Sequence, residues 1–305
     1  MKTWYIRWLL ILLGLSNWQV SAQPGASLYV LSIGSADYET NFTQYEAGFA
    51  GWPQLPAAAT SARQMVKLLG SSRVAYLDSL ISRPNSLVTR AAVLTAVRKL
   101  STRALREHRP NPLLIFYFAG HGVSEGFGWN LFMMPGNFTA TITGRNAVSM
   151  GELAVYAGDV YDALAETKLP FVMLLDCCYE GQDEKATLRA LANQQTFQQV
   201  AALAQASMAI VRKMNEFAEP NPVVFSAVPG QLAEAVPLPG GKPGKRVGPV
   251  CRRAMLASAQ AAEQPLTLDR LLLALTSPVL DTAPKSVAIS NWDRAACSFK
   301  NYRLR

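Results

Sequence analysis

The stretch PLLIFYFAGHG, residues 112 to 122, constrains this chain more than any other. Seven apolar or aromatic residues in a row, Leu113 to Ala119, are broken abruptly at Gly120. An apolar run of that kind fits a strand buried on both faces, because a strand with one wet face alternates polar and apolar positions instead. Similar runs occur at 27–34 (SLYVLSIG) and 169–178 (LPFVMLLDCC), with shorter ones in LFMMPG (131–136), NPVVFSAVPG (221–230) and KSVAISNW (285–292). SSRVAYLDSL (71–80) reads as a further strand.

Helical patterns separate them. Residues 55–70 carry an apolar stripe at Ala62, Met65, Val66 and Leu69, closed by Gly70, and 86–108 predict a long helix stopping before Pro110. GDVYDALAETK (158–168), VCRRAMLASAQAAE (250–263) and TLDRLLLALTS (267–277) read as helices too, and 184–217 runs for more than thirty helix-favouring residues without Gly or Pro. Buried strands alternating with helices predict an α/β fold, a mostly parallel central sheet with helices on both faces. At 305 residues the chain is long enough for one large domain.

In such sheets function gathers at the carboxyl ends of the strands, where FAGHG and DCCYEG both fall. The chain has two histidines. His108 sits in REHRPN, a polar helix end, and reads as a solvated residue favoured by the helix carboxyl terminus. His121 leaves a buried strand between two glycines, where the backbone can come close to another group. A cysteine nucleophile needs a base for its proton and amides for the oxyanion. His121 can be that base, and the amides of Gly122 and the cysteine itself can form the hole. Taken singly, each feature also fits a core histidine and a strand end with small buried thiols.

These residues carry a family resemblance. FYFAGHG, followed 57 positions after His121 by LLDCCYEG, resembles the paired His-Gly and Asp-x-Cys motifs of caspase and metacaspase peptidases; a caspase histidine lies about 50 residues before its cysteine. LYVLSIG, LPAAATSARQMVKLL, VVFSAVPGQLAEAV and VGPVCRRAML are similar to further family segments, so the resemblance covers most of residues 27 to 290. It implies a caspase-like α/β/α sandwich in which Cys178 attacks, Cys177 is the variable residue and His121 assists. It also implies that Asp176 lines the pocket for the residue before the cleaved bond and selects Arg or Lys; a recessed carboxylate pairs strongly with a cation. The alternative for Asp176 is a strand-end carboxylate capping nearby amides.

The chain departs from the family at Tyr179 and Glu180, where metacaspases have His-Ser, and a carboxylate there would oppose thiolate formation. Thr60 and Ser61 stand where the first helix commonly has an aspartate. Only Asp183 and Glu184 follow the motif, so no cofactor is expected and calcium dependence has no support in the sequence. The partners expected are protein or peptide substrates with basic residues. A catalytically inactive caspase-like domain that binds a partner is the competing expectation, and acyl transfer to an acceptor other than water is a third.

The first residues read as a leader. MKTWYIRWLLILLGLSNWQVSA has a basic start, a short apolar core from Trp8 to Leu15, and small residues at Ser21 and Ala22. Ser16 and Asn17 interrupt the run short of the roughly 20 residues a membrane span needs. Residues 1–22 are therefore expected to be a secretory signal and 23–305 an exported peptidase domain, periplasmic or secreted. Cleavage removes Lys2 and Arg7 from 29 basic residues, leaving 27 against 21 acidic ones, a net charge of +6. That mild excess does not mark a nucleic-acid binder.

Export bears on the four cysteines, because disulfides persist outside the cytoplasm. With Cys177 and Cys178 held for chemistry, Cys251 and Cys297 are either a bridge or two small buried residues. A bond between Cys177 and Cys178 would be strained, since adjacent α-carbons lie about 3.8 Å apart. Two segments have regulatory potential. Residues 184–217 lie where caspases carry a cleaved linker, although their composition fits a packed helix, and the basic Pro/Gly-rich loop 237–249 is a solvated turn or a self-cleavage site. NFT occurs as a glycosylation sequon at Asn41 and Asn137. Exported from a host with its own leader, the protein is expected to carry Gln23 as its first residue; amino-terminal sequencing that finds Met1 would refute the cleavage.

Overall fold

The computed structural model describes residues 27–38, 53–70, 74–83, 85–124, 131–137, 154–177, 221–226, 233, 235–261, 266–276 and 288–290. The leader, the 184–217 segment and Cys178 lie outside these residues. A six-stranded sheet forms the centre. Its strands are β1 (Ser27–Gly34), β2 (Val74–Ile81), β3 (Pro112–Ala119), β7 (Phe171–Asp176), β8 (Val223–Phe225) and β11 (Ala288–Ser290), in the order β11-β8-β7-β3-β1-β2. Five run parallel and β11 pairs antiparallel with β8. This is the expected α/β sandwich.

Alternation along the buried strands sorts side chains between two cores. Leu113, Ile115, Tyr117 and Ala119 of β3 join Val172 and Leu174 of β7 beneath the helices α1 (Pro56–Leu69), α4 (Pro249–Gln260) and α5 (Leu268–Thr276). Leu114, Phe116 and Phe118 join Phe171, Met173 and Leu175 on the other face, under α2 (Arg90–Glu107) and α3 (Ala157–Ala165). Every one of these strand side chains is buried, which accounts for the unbroken apolar runs.

Helix α2 begins four residues later than its composition predicts. Before it, Arg83 and Ser86 exchange backbone hydrogen bonds and Asn85 stands at φ 67°. Thr89 then caps the helix, its Oγ1 accepting from the Ala92 N–H at 3.1 Å. At the far end His108 takes the left-handed conformation at φ 46° and stays exposed, the helix-end position expected of it.

Two smaller antiparallel units flank the sheet. The strands β4 (Gly122–Ser124), β5 (Leu131–Met133) and β6 (Val155–Tyr156) pair in that order just after His121. β9 (Val236–Pro237) and β10 (Arg246–Val247) make a hairpin whose tip, 240–246, is exposed and turns through left-handed Gly240 and Gly244. The loop with Lys242, Lys245 and Arg246 is therefore an ordered turn with its own backbone bonds, Leu238 N–H to Lys245 carbonyl and Lys245 N–H to Lys242 carbonyl. No helix among the described residues is long and apolar enough to cross a membrane.

Gly34 closes β1 where α1 crosses it. A Cβ there would lie 2.8 Å from the Ala58 carbonyl oxygen and 2.9 Å from the Ala62 Cβ. Gly34→Ala is expected to destabilise the protein by about 1–3 kcal/mol through overpacking, read as a lower urea midpoint; an unchanged midpoint would show that α1 is free to shift.

Candidate active site

The site is set by the register of two neighbouring strands. β3 and β7 pair in parallel, with Ala119 opposite Asp176, and beyond the last pair the Gly120 N–H reaches the Asp176 carbonyl at 3.4 Å. His121 stands two residues past Ala119, and Cys178 two residues past Asp176.

His121 is 7% exposed. Its Nε2 lies 2.8 Å from the Pro53 carbonyl oxygen. A carbonyl only accepts, so this nitrogen carries the ring proton and Nδ1 is the acceptor of the neutral imidazole. Burial lowers the His121 pKa from its ordinary 6.5, opposed by the Pro53 carbonyl, which favours the cation. The ring is thus a neutral base at pH 7. Its backbone N–H donates to the Tyr38 hydroxyl at 2.8 Å, that hydroxyl donates to the Ser35 carbonyl at 2.9 Å, and the two rings lie 4.8 Å apart, tilted by 54°. Gly120 permits this approach: a Cβ there would sit 2.8 Å from the Phe118 Cζ and 3.0 Å from the Tyr38 hydroxyl. Gly122, the expected oxyanion donor, opens β4 opposite Met133 and is buried.

Of the two adjacent cysteines at the end of β7, Cys177 is among the described residues and Cys178 is not. Cys177 is 3% exposed and packs into the α2/α3 core with Met173 and Leu175. Its carbonyl accepts from the Ser226 hydroxyl at 2.9 Å, and it forms no disulfide. Cys251 is fully buried and forms no disulfide among the described residues, its Sγ 3.6 Å from the Ser61 carbonyl; Cys297, its candidate partner, lies outside the described residues. Burial, reinforced by Asp176, holds the Cys251 thiol well above its usual pKa, so it stays protonated.

Asp176 is buried at the amino terminus of α4. Oδ1 accepts from the Val250 N–H at 3.0 Å, while Oδ2 accepts from the Cys251 N–H at 2.9 Å and the Tyr117 hydroxyl at 2.8 Å. Gly248 leaves room for the carboxylate, since a Cβ at that position would lie 2.2 Å from the Asp176 Cγ. Ser61, at the position compared with the family aspartate, contributes from α1 instead: its hydroxyl accepts from the Gly248 N–H at 2.8 Å and donates to the Ala57 carbonyl. Burial pushes the Asp176 carboxyl up to about 6, outweighing the two amides and the phenol that favour its charge. Desolvation raises Tyr117 well above 10, so it remains a donor.

Sequence reasoning singled out His121, Gly122 and Asp176, and the structure brings them to the same end of β3 and β7. It did not single out Pro53, Tyr38 or Tyr117. Tyr117 left a signal, since a hydroxyl inside the run LLIFYF needs a buried partner. Among the described residues, no group of three or more His, Cys, Asp or Glu is placed to hold a metal ion.

The α/β/α sandwich thus presents a buried histidine at the end of β3, next to the carboxyl end of β7. Residues 30–264 match the family model described as the caspase domain, and the chain belongs to that family of caspase-like cysteine peptidases. Among solved structures it is similar to protein GSU0716 from Geobacter sulfurreducens, with 12% identity, a TM-score of 0.50, and coverage of 88% of this chain and 92% of that one, a likeness of fold. No match was found among curated proteins.

The raised Asp176 value has a stability consequence. A carboxyl that titrates near 6 when folded, against 3.8 as its ordinary value, holds its proton more tightly in the folded state, so its contribution is full below about pH 4 and is lost as pH rises through 6. The loss amounts to about 3 kcal/mol. Relative to Asp176→Asn, the wild-type protein is expected to lose about that much stability between pH 4 and pH 7, measured by denaturant unfolding at both; parallel profiles would refute it.

Proposed function

We propose that the protein is an exported cysteine endopeptidase in which Cys178 is the nucleophile and His121 its base, cleaving after Arg or Lys. The observation that carries the reading is the pairing of Ala119 with Asp176, since His121 and Cys178 each follow one partner of that pair by two residues in the sequence. The burial of Cys177 in the opposite core supports the second cysteine over the first.

The His121 Nδ1 accepts the thiol proton, and the thiolate sulfur attacks the substrate carbonyl carbon. The resulting oxyanion takes hydrogen bonds from the amides of Gly122 and Cys178. Collapse breaks the C–N bond as the imidazolium returns its proton to the leaving amine. Water, deprotonated by the same ring, then hydrolyses the thioester and regenerates the thiol. Pro53 holds the proton on Nε2 throughout, and its carbonyl stabilises the transient imidazolium.

Asp176 is the acid that selects a basic side chain in this reading. Its burial supports a strong preference, since a poorly solvated carboxyl gains most from a cation. Oδ1 carries one amide bond and retains a lone pair for a donor from Arg or Lys. Substrate binding would then favour ionisation of Asp176, which the α4 amides already assist. Export follows from the leader alone.

A non-catalytic binding domain is the second reading. It is favoured by the capping bonds on both Asp176 oxygens and by Tyr179-Glu180 in place of His-Ser.

Mature protein from Gln23, assayed under reducing conditions on fluorogenic peptides ending in Arg, Lys or Asp, is expected to turn over the Arg and Lys peptides. Cys178→Ala should lower that activity by at least about a thousandfold, and Cys177→Ala should leave it within severalfold. Asp176→Asn should lose Arg and Lys turnover while remaining folded. Absence of turnover from folded wild-type protein would favour the binding domain.

A further inference from the structure

Two chain segments hold His121, and they are laced to each other. Residues 35–38 follow β1, and 53–55 lead into α1. The Leu55 N–H donates to the Ala36 carbonyl at 2.7 Å. The Gln54 side chain clamps the Tyr38 backbone at both ends: its Oε1 accepts from the Tyr38 N–H at 3.0 Å, and its Nε2 donates to the Tyr38 carbonyl at 2.7 Å. The residue before Gln54 supplies the carbonyl that fixes the His121 ring, and the residue that Gln54 clamps supplies the hydroxyl that fixes the His121 backbone.

Each bond removes a different freedom. His121 leaves β3 through Gly120, whose backbone is the loosest available, so neither strand nor helix sets the course of the chain there. Without the Tyr38 hydroxyl, the buried His121 N–H would lose that acceptor. The hydroxyl is itself oriented, because its proton goes to Ser35. The Tyr38 ring then limits rotation of the imidazole from the side. The Pro53 carbonyl sets the tautomer, yet a carbonyl on a loop positions a ring only as well as the loop is held. Gln54 ties that loop to Tyr38.

We propose that Tyr38 and Gln54 form a positioning pair for His121, holding the imidazole in a single tautomer and orientation for proton transfer. Both act through His121. The kinetic part rests on the function proposed above, whereas the orientation of His121 does not. A general base has to lie within hydrogen-bond reach of its proton, and a displacement of an ångström costs orders of magnitude in rate.

The experiment uses mature wild-type protein, Tyr38→Phe, Gln54→Ala and Gln54→Glu. Nitrogen-15 imidazole spectra give the His121 tautomer, and exposed His108, the other histidine of the chain, serves as the internal reference. Wild type should show one neutral tautomer, protonated at Nε2. Tyr38→Phe, which keeps the ring and loses the hydroxyl, and Gln54→Ala should each show a mixture, with an unchanged His108 signal. Peptide turnover in both should fall about tenfold in kcat with little change in KM. Gln54→Glu, which keeps the acceptor for the Tyr38 N–H, should lie between wild type and Gln54→Ala. A single tautomer and unchanged kcat in Tyr38→Phe would overturn the proposal, and that milder variant decides it where Gln54→Ala fails to fold. Inactive wild-type protein would overturn the function proposed for the site, while the tautomer spectra would still decide the positioning pair.

Discussion

The parallel pairing of β3 with β7 is the constraint on which the rest of the site depends. A side-chain period of two leaves no intermediate register: a slip by one residue would turn Asp176 and Tyr117 into the wrong core. Burial on both faces fixes that register, because each strand has two apolar faces to satisfy and a different set of helices over each. The same cores that stabilise the domain thus decide which residues stand level at its carboxyl edge. Gly120 ends β3 just where the chain must turn from packing to chemistry.

Asp176 joins the sheet to the layer above it. One carboxyl takes two amides at the start of α4 and a phenol from β3, so three segments far apart in sequence converge on two oxygens. The amides at a helix amino terminus attract negative charge, and desolvation opposes it. Their contest leaves the group titrating near 6. A carboxyl poised there is neither a fixed ion nor a fixed acid, and its protonation answers to whatever cation approaches. Capping the helix and receiving a basic side chain use the same negative charge, so the two readings of Asp176 rest on one physical property.

The sheet and the place of His121 at the end of β3 were legible because they depend on local signals. Runs such as LLIFYF announce double burial, and a histidine between glycines at the end of one announces an exposed turn in function if not in area. Helix boundaries were legible only to within a turn: the start of α2 depended on the Thr89 cap and on a left-handed Asn85, which overrode helix propensity. What holds His121 was not legible. The Pro53 carbonyl is a backbone atom with no residue-type signature, 68 positions away, and Tyr38 lies 83 positions away in a segment with no pattern of its own. The capping role of Asp176 needed a helix that starts more than seventy residues later. The basic Pro/Gly-rich loop at 237–249 was legible as a turn, and two left-handed glycines and a short ladder define it.

The exposed corner at residues 108–111, where the chain leaves α2 and enters β3, lies at the opposite edge of the sheet from the histidine. Eight residues of β3 separate the two, a span of about 26 Å at the usual strand rise. The strand between them is rigid, since neighbours hold it on both sides and helices cover both faces. A fluorophore or tether attached at that corner would therefore share the site's frame of reference without entering it, giving the domain a natural handle for surface immobilisation or distance measurement.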